Sequence, residues 1–348
     1  MRGFWRSLLT VGKWIVVTLV FVEVLCFLII TISNLLIFGH VWEGGPSNYD
    51  PYTLFLDGGG VQATANNPPA GKTKKASHIW MLGGSTTRCN NVEVGETIAS
   101  YLALILNREG SRGEVVVTNY GENSFNALLQ TKYLQKLLIE NPRAPDLVIF
   151  YDGANECAYF NLYRTPDAHY GYPRLKGPIE SYRRSLFGLL KPLNTALANS
   201  FSKEVYNRLT YAVVPIKPDN PALKKTVAAT VRRYEHVRRL SACYGAKFLL
   251  FWQPMLWVET CKVDRKVGGQ EKNLAAKGGR FLKLKRNFVV TYNALADRLQ
   301  DQRFFIDFQN ILCDRTESVY QPDGVHLNAR GNRLVAEAMA RVLKKRGY

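Results

Sequence analysis

Apolar positions divide the chain into two regimes. Residues 14–39 read WIVVTLVFVEVLCFLIITISNLLIFG, a continuous apolar run with Glu23 as its only charge. As a helix at 1.5 Å per residue the run is about 39 Å long, and a bilayer core needs about 30 Å, so it can span with some tilt. Beyond residue 77 the pattern changes. Short runs of strand length, HIWMLGG (78–84), VVVTNYG (115–121), DLVIFYDG (146–153), AKFLLFWQ (246–253) and RFFIDF (303–308), alternate with helix-period segments at 94–108, 128–140, 223–243, 277–300 and 329–346. In the first of these, Ile98, Tyr101, Leu102, Ile105 and Leu106 recur at helical spacing, and Asn141-Pro142 stops the second. Strands that are apolar throughout suit a sheet covered on both faces. The expected fold is therefore a three-layer α/β/α sandwich around a mostly parallel five-stranded sheet.

The remaining segments complete the expected organisation. Residues 1–39 form a cytoplasmic N-terminus and transmembrane anchor. Residues 40–77, rich in Gly, Pro, Asn and Lys, read as a juxtamembrane linker. Residues 78–348 form the folded domain, interrupted by a Tyr-, Pro- and Arg-rich insertion at 157–222 and a polar loop at 259–275. No internal repeat or low-complexity tract is visible.

Charge fixes the expected topology. The chain holds 46 Lys and Arg against 28 Asp and Glu, a net charge of +18. Such an excess attracts anionic partners without choosing among them. Arg2, Arg6 and Lys13 precede the apolar run, whereas Glu43, Asp50 and Asp57 follow it before any Lys or Arg. Positive flanks stay inside, so the body is expected outside the cytoplasm, periplasmic or at the cell surface. That orientation argues against nucleic acid. A signal peptide would have a shorter apolar core and a small-residue cleavage site. Glu23 can serve a partner helix in the membrane or be tolerated as the neutral acid. The basic runs Lys224-Lys225, Arg232-Arg233, Arg238-Arg239 and Lys283–Arg286 fall on helices, as a solvated face or a dock for anionic headgroups or an acidic glycan.

In open parallel sheets, ligands bind beyond the carboxyl ends of the strands. Those ends carry Gly83-Gly84-Ser85, Asn119-Tyr120-Gly121, Gly153-Ala154-Asn155-Glu156 and, after a short loop, Asp323-Gly324-Val325-His326. A serine in a Gly-flanked strand-to-helix turn is exposed at a helix start. His326 can take its proton, and Asp323 can orient the ring and stabilise the imidazolium. The backbone N–H groups of Ser85 and Gly121 and the amide of Asn155 can bind a tetrahedral oxyanion. Each motif alone is ordinary turn or cap chemistry. Their occurrence in order, each at a strand end, is what carries the reading.

These four blocks, over roughly residues 78–346, resemble those of the SGNH/GDSL hydrolase superfamily. The resemblance implies Ser85 as nucleophile, Asp323 and His326 as the rest of the triad, and Ser85, Gly121 and Asn155 as the oxyanion hole. Two positions depart from the usual blocks: Gly84 stands where Asp often precedes the serine, and Glu156 where Asp usually follows the asparagine. The resemblance implies a serine esterase, and with the expected topology the first reading is one that removes acyl groups, O-acetyl foremost, from an envelope glycan or lipid. An O-acyltransferase using the same triad, and a non-catalytic glycan-binding or assembly subunit, remain alternatives.

No cofactor or metal is expected: neither H-E-x-x-H nor a phosphate loop of the G-K-[ST] type occurs. His78 opens the first strand, His236 sits among basic residues, His40 lies at the membrane boundary, and His169 is a candidate to line a cleft. Of six cysteines, Cys89, Cys157, Cys261 and Cys313 lie toward the strand ends that carry the candidate chemistry. Cys261–Cys313, following neighbouring strands, is the favoured bridge, and Cys89–Cys157 the second choice.

Overall fold

The computed structural model describes residues 2–38, 41, 47–57, 60–69, 76–108, 113–184, 193, 195–197, 199–210, 212–276 and 279–348. Two compact units emerge, Met1–Pro46 with Gly171–Val213, and Ser47–Tyr170 with Val214–Tyr348.

The larger unit is built on five parallel strands: β3 (Ser77–Gly83), β4 (Val115–Gly121), β5 (Leu147–Asp152), β6 (Lys247–Trp252) and β7 (Phe305–Asp307), in the order β4-β3-β5-β6-β7. A hairpin of β1 (Ser47–Asp50) and β2 (Leu54–Asp57) precedes them. The helices of the unit are α2 (Ser85–Arg88), α3 (Ile98–Arg108), α4 (Ala127–Glu140), α5 (Ala154–Tyr163), α8 (Pro221–Cys243), α9 (Arg265–Ala276), α10 (Gly279–Leu299) and α11 (Ala329–Lys345). The smaller unit contributes α1 (Arg2–Phe38), α6 (Tyr172–Arg184) and α7 (Phe201–Thr210).

Alternation along the strands explains the three layers. Leu147, Ile149 and Tyr151 of β5 point to one face and join Ile98, Leu102 and Leu106 of α3 and Val335, Met339 and Leu343 of α11. Val148 and Phe150 point to the other and join Leu134 and Leu137 of α4, Tyr234 and Val237 of α8, and Leu295 and Leu299 of α10. Each fully buried Leu or Phe is worth about 1.5–3 kcal/mol, so these layers carry the stability rather than the surface ion pairs. Asparagines start three of the helices: Asn126, Asn220 and Asn328 accept backbone N–H groups in the first turns of α4, α8 and α11.

Three expectations need correction. Residues 47–57 and 60–69 are no linker. Leu56 is buried in the core, and Asp50 forms an ion pair with Lys136 of α4. Beyond the hairpin, Gln62 N–H donates to Asn119 O at 2.8 Å, and the Asn67 side chain both donates to Val117 O and accepts from Val117 N at 2.9 Å. This segment covers the open edge of β4, which would otherwise present unpaired backbone groups. Its apolar run, Leu54-Phe55-Leu56, is too short to show a period. Second, the polar loop 259–275 contains α9. Third, the departure from the larger unit runs over 171–213 rather than 157–222, because α5 buries Cys157 and Phe160, and Ile216 and Leu223 pack with Phe160.

In the smaller unit, α1 is long and apolar enough to cross a membrane, with mean hydropathy 3.0 over its most apolar stretch. Glu23 is engaged within the chain. It accepts Phe201 N–H at 2.8 Å and is also bonded to the Ser202 hydroxyl, so it caps the start of α7.

Candidate active site

β3 ends on Gly83 and Gly84 caps α2, and both stand where a side chain would collide with a neighbour. A Cβ on Gly83 would meet Thr87 Oγ1 at 1.8 Å, and one on Gly84 would meet Asn155 Nδ2 at 2.3 Å. Gly84 therefore lies directly against the Asn155 amide, which a side chain there would have to displace in this chain. Ser85 is the first residue of α2, where N–H groups have no partner within the helix.

Ser85 Oγ lies 2.8 Å from His326 Nε2, and His326 Nδ1 lies 2.5 Å from Asp323 Oδ2. With Nδ1–H donating a hydrogen bond to the carboxylate, Nε2 is left to accept the serine proton. The other Asp323 oxygen accepts Val325 N–H at 2.9 Å and His326 N–H at 3.0 Å, through a turn that Gly324 allows with φ +69°. Burial works to raise the Asp323 pKa, but the hydrogen bond and charge of His326 and the two N–H groups outweigh it and hold the carboxyl below its ordinary value. The three side chains, 241 residues apart from serine to histidine, thus form one hydrogen-bonded chain.

The three candidate oxyanion donors differ in readiness. Asn155 Nδ2 donates to Phe125 O at 2.7 Å, which fixes the amide and leaves its second N–H. Gly121 stands beside Gly83 in register, and a Cβ there would meet Arg88 N at 2.4 Å. Its N–H is already donated to Asn119 Oδ1 at 2.9 Å, while Asn119 Nδ2 donates to Thr87 O at 3.0 Å. Gly121 can therefore serve an oxyanion only by sharing or exchanging that bond, a constraint its position in the sequence does not reveal.

Glu156 accounts for the second departure. Its carboxylate accepts Ala127 N–H at 2.7 Å and Gly153 N–H at 2.8 Å, tying the starts of α4 and α5 together behind Asn155. Burial pushes its pKa up. Nearby Asp152 is fully enclosed, bonded to Gln130 Nε2 at 2.6 Å and Tyr234 OH at 2.9 Å, and burial followed by the Glu156 charge pushes it well up.

The loop bearing Asp323 and His326 has a buried anchor that sequence reasoning missed. Arg315, 1% exposed, donates to Glu259 at 2.8 and 2.9 Å and to Glu271 at 2.9 and 3.1 Å. Glu271 also accepts Val319 N–H at 2.7 Å, and Tyr320 OH donates to Glu259 at 2.7 Å. Two carboxylates share one guanidinium: burial, resisted by Arg315 and Tyr320, raises Glu259, and the pairing outweighs burial to raise Arg315, which stays charged. No sequence motif marks this cluster. The adjacent Cys261–Cys313 disulfide is present, with Cα atoms 5.7 Å apart. Cys89 and Cys157 are free, because they pack on opposite faces of the sheet. Burial pushes the Cys89 thiol up to about 12.

Ser85, His326 and Asp323 open into a cleft of about 280 Å³ whose other lining residues are Asn90, Asn91, Asn123 and Gln321. Among the described residues, no apolar side chain lines it. His78, His169 and His236 take no part: His236 contacts Gln135, and His169 Nδ1 contacts Tyr170 O at 2.7 Å. His40 lies outside the described residues. The basic runs expected on helices do lie on α8 and α10, with Lys224, Lys225, Arg232, Arg238 and Arg239 exposed.

Residues 56–339 match the family described as GDSL-like Lipase/Acylhydrolase. No curated protein sequence matches the chain. Among solved structures, the acetyl xylan esterase AlAXEase is 15% identical, with 76% of this chain and 99% of that one covered and a TM-score of 0.38. LAE5, an α/β hydrolase from the metagenome of Lake Arreo, Spain, is 13% identical over 76% and 94% of the two chains, TM-score 0.41. The psychrotrophic esterase EstA from Pseudoalteromonas sp. is 13% identical over 77% and 97%, TM-score 0.39. At these TM-scores the likenesses say nothing about substrate.

Proposed function

Because the chain belongs to the GDSL-like lipase/acylhydrolase family, we propose that it is a membrane-anchored serine esterase that removes short acyl groups, O-acetyl foremost, from a cell-envelope glycan or lipid. The observation that carries the reading is the continuous hydrogen-bonded chain Ser85–His326–Asp323 opening into a polar cleft. α1 anchors the protein, its basic flank inside and the hydrolase unit outside the cytoplasm.

In the proposed reaction the Ser85 oxygen attacks the ester carbonyl while His326 Nε2 takes the hydroxyl proton. Asp323 stabilises the resulting imidazolium. The oxyanion is met by Ser85 N–H and the second N–H of Asn155, with Gly121 N–H joining when it leaves Asn119. Collapse breaks the bond to the alcohol, which leaves with the proton from His326. Water, deprotonated by His326, then releases the acid and restores Ser85. A fatty acyl chain would need an apolar channel, and the cleft's lining of carboxamides and charged groups favours a small acyl group on a hydroxyl-rich alcohol.

The test is hydrolysis of p-nitrophenyl acetate by the full chain and its Ser85→Ala variant, together with labelling by a fluorophosphonate. Wild type should turn over and label, and the variant should do neither. Retention of more than about a tenth of wild-type kcat by the variant would refute the assignment of Ser85. Equal rates on acetate and octanoate esters would refute the short-acyl reading.

A further inference from the structure

The helix that begins with Ser85 ends in a tight turn. Cys89 is buried, stands in the left-handed region at φ 59°, and closes α2. Val92 N–H then donates to Cys89 O at 3.3 Å, which leaves Asn90 and Asn91 at the tip of the turn. Both asparagines line the cleft with Ser85, Asp323 and His326.

Their amides are held in opposite senses. Arg88 Nε donates to Asn90 Oδ1 at 3.0 Å. The guanidinium is fixed in turn by Glu122, to which Arg88 Nη1 donates at 2.7 Å, the two side chains being 10% and 0% exposed. An arginine nitrogen can only donate, so Asn90 turns its oxygen to Arg88 and keeps its two amide hydrogens for another partner. Asn91 Nδ2 donates to the backbone carbonyl of Leu327, the neighbour of His326 in the chain, at 2.8 Å. A carbonyl can only accept, so Asn91 turns its nitrogen to the histidine loop and keeps its oxygen for another partner. Among the described residues neither amide has a further hydrogen-bond partner. The cleft therefore carries one oriented donor, Asn90 Nδ2, and one oriented acceptor, Asn91 Oδ1.

That pairing selects among ligand groups. A hydroxyl accepts and donates at once and satisfies both amides. An ether oxygen satisfies Asn90 alone, and a methylene satisfies neither. A carboxylate or phosphate would set negative charge against Asn91 Oδ1, and an ammonium would set N–H groups against Asn90 Nδ2. Because both amides are fixed before a ligand arrives, little rotamer freedom is lost on binding.

We propose that Asn90 and Asn91 form a hydroxyl-recognition site for the alcohol portion of the ester, selecting esters with a free hydroxyl on the carbon next to the esterified one, the unit found in a partly acetylated sugar ring. Arg88 is a positioning residue that acts through Asn90. The proposal deepens the esterase reading and rests on it: Ser85 supplies the chemistry, and the asparagine turn chooses the alcohol.

The test compares four acetates with the full chain in detergent. Ethylene glycol monoacetate carries the neighbouring hydroxyl, and propyl acetate is its isostere with a methyl group in that place. The methyl ether of glycol monoacetate keeps the accepting oxygen without the O–H, and butyl acetate is its isostere. Each kcat/KM is divided by the ester's own rate with hydroxide, which removes differences in leaving-group reactivity. A neutral hydrogen bond is worth roughly two- to tenfold, so the glycol-to-propyl ratio should be about tenfold and the ether-to-butyl ratio about threefold. Asn91→Leu should lower the first ratio and spare the second, and Asn90→Leu should lower both. These are ratios within one variant, so a general loss of activity cancels, and Asn90→Ala and Asn91→Ala serve if the leucine variants misfold. Wild-type ratios near one would overturn the proposal whether or not the variants fold, as would ratios that neither asparagine changes. Turnover of p-nitrophenyl acetate without hydrolysis of the alkyl acetates would overturn this proposal alone. No turnover of any ester, p-nitrophenyl acetate included, would instead remove the esterase reading on which it rests.

Discussion

Arg315→Met should be among the most damaging single changes outside Ser85, Asp323 and His326. The guanidinium makes four bonds to Glu259 and Glu271 and a fifth to Leu312 O at 2.7 Å. The carboxylates are 5% and 0% exposed, so removal of the cation leaves two buried, mutually repelling anions. Breaking a buried pair from one side costs about 3–5 kcal/mol. For a unit of this size that is a fall of about 6–20 °C in Tm. Activity measured well below the transition should fall too, because Glu271 holds Val319 and Tyr320 at the root of the loop that carries Asp323 and His326. A displacement of about 1 Å there could cost up to about 100-fold in kcat. Adding Glu259→Leu to Arg315→Met should recover part of the stability, since it removes one orphaned charge. The assay is thermal and urea unfolding of the full chain in detergent, with kcat measured on p-nitrophenyl acetate. A loss below about 1 kcal/mol for Arg315→Met, or no recovery in the double variant, would refute the clamp.

Four further outcomes are expected. Asp323→Asn should keep the turn but present an N–H to His326 Nδ1, reversing the tautomer and lowering kcat by about 10⁴; a drop under tenfold in steady-state kinetics would contradict this. The depressed Asp323 pKa gives stability that is complete above its ordinary value of 3.8 and is lost as pH falls through the folded value, so the stability gap between wild type and Asp323→Asn should narrow in acid unfolding series. Gly84→Ala should push Asn155 from the serine turn and lower kcat by about 10²–10³ with fluorophosphonate labelling slowed in parallel, because the new Cβ meets Asn155 Nδ2 at 2.3 Å; unchanged kinetics would show that Asn155 does not donate. Removing the disulfide with Cys261→Ala and Cys313→Ala should cost up to about 4 kcal/mol by loop entropy over its 52-residue separation, read from urea unfolding, and a change under about 1 kcal/mol would mean the Arg315 cluster alone holds the loop.

The sequence by itself determined the sheet and the gathering of Ser85, Asn155 and His326 at one edge of it. Apolar runs such as 147–152 and 247–252 can be satisfied only by a sheet covered on both faces, and a parallel sheet brings its strand ends to one edge. Ser85, Asn155 and His326 are therefore grouped by the sequence, because topology converts order along the chain into proximity. Tertiary structure decided what depends on contacts between segments with no pattern of their own. The edge-covering stretch 60–67 bonds chiefly through backbone and asparagine groups, which leave no hydrophobic period. Arg315, Glu259 and Glu271 read as ordinary surface charges until burial pairs them. Gly121 illustrates the sharper limit: its place at the site follows from its block, but whether its N–H is free depends on where Asn119 turns its side chain. Glu23 was conspicuous as a charge in an apolar run, yet its partner lies 178 residues away on a helix whose polar sequence gave no sign of it. Periodicity records which face of an element is buried, whereas hydrogen-bond partners are fixed only when the faces meet.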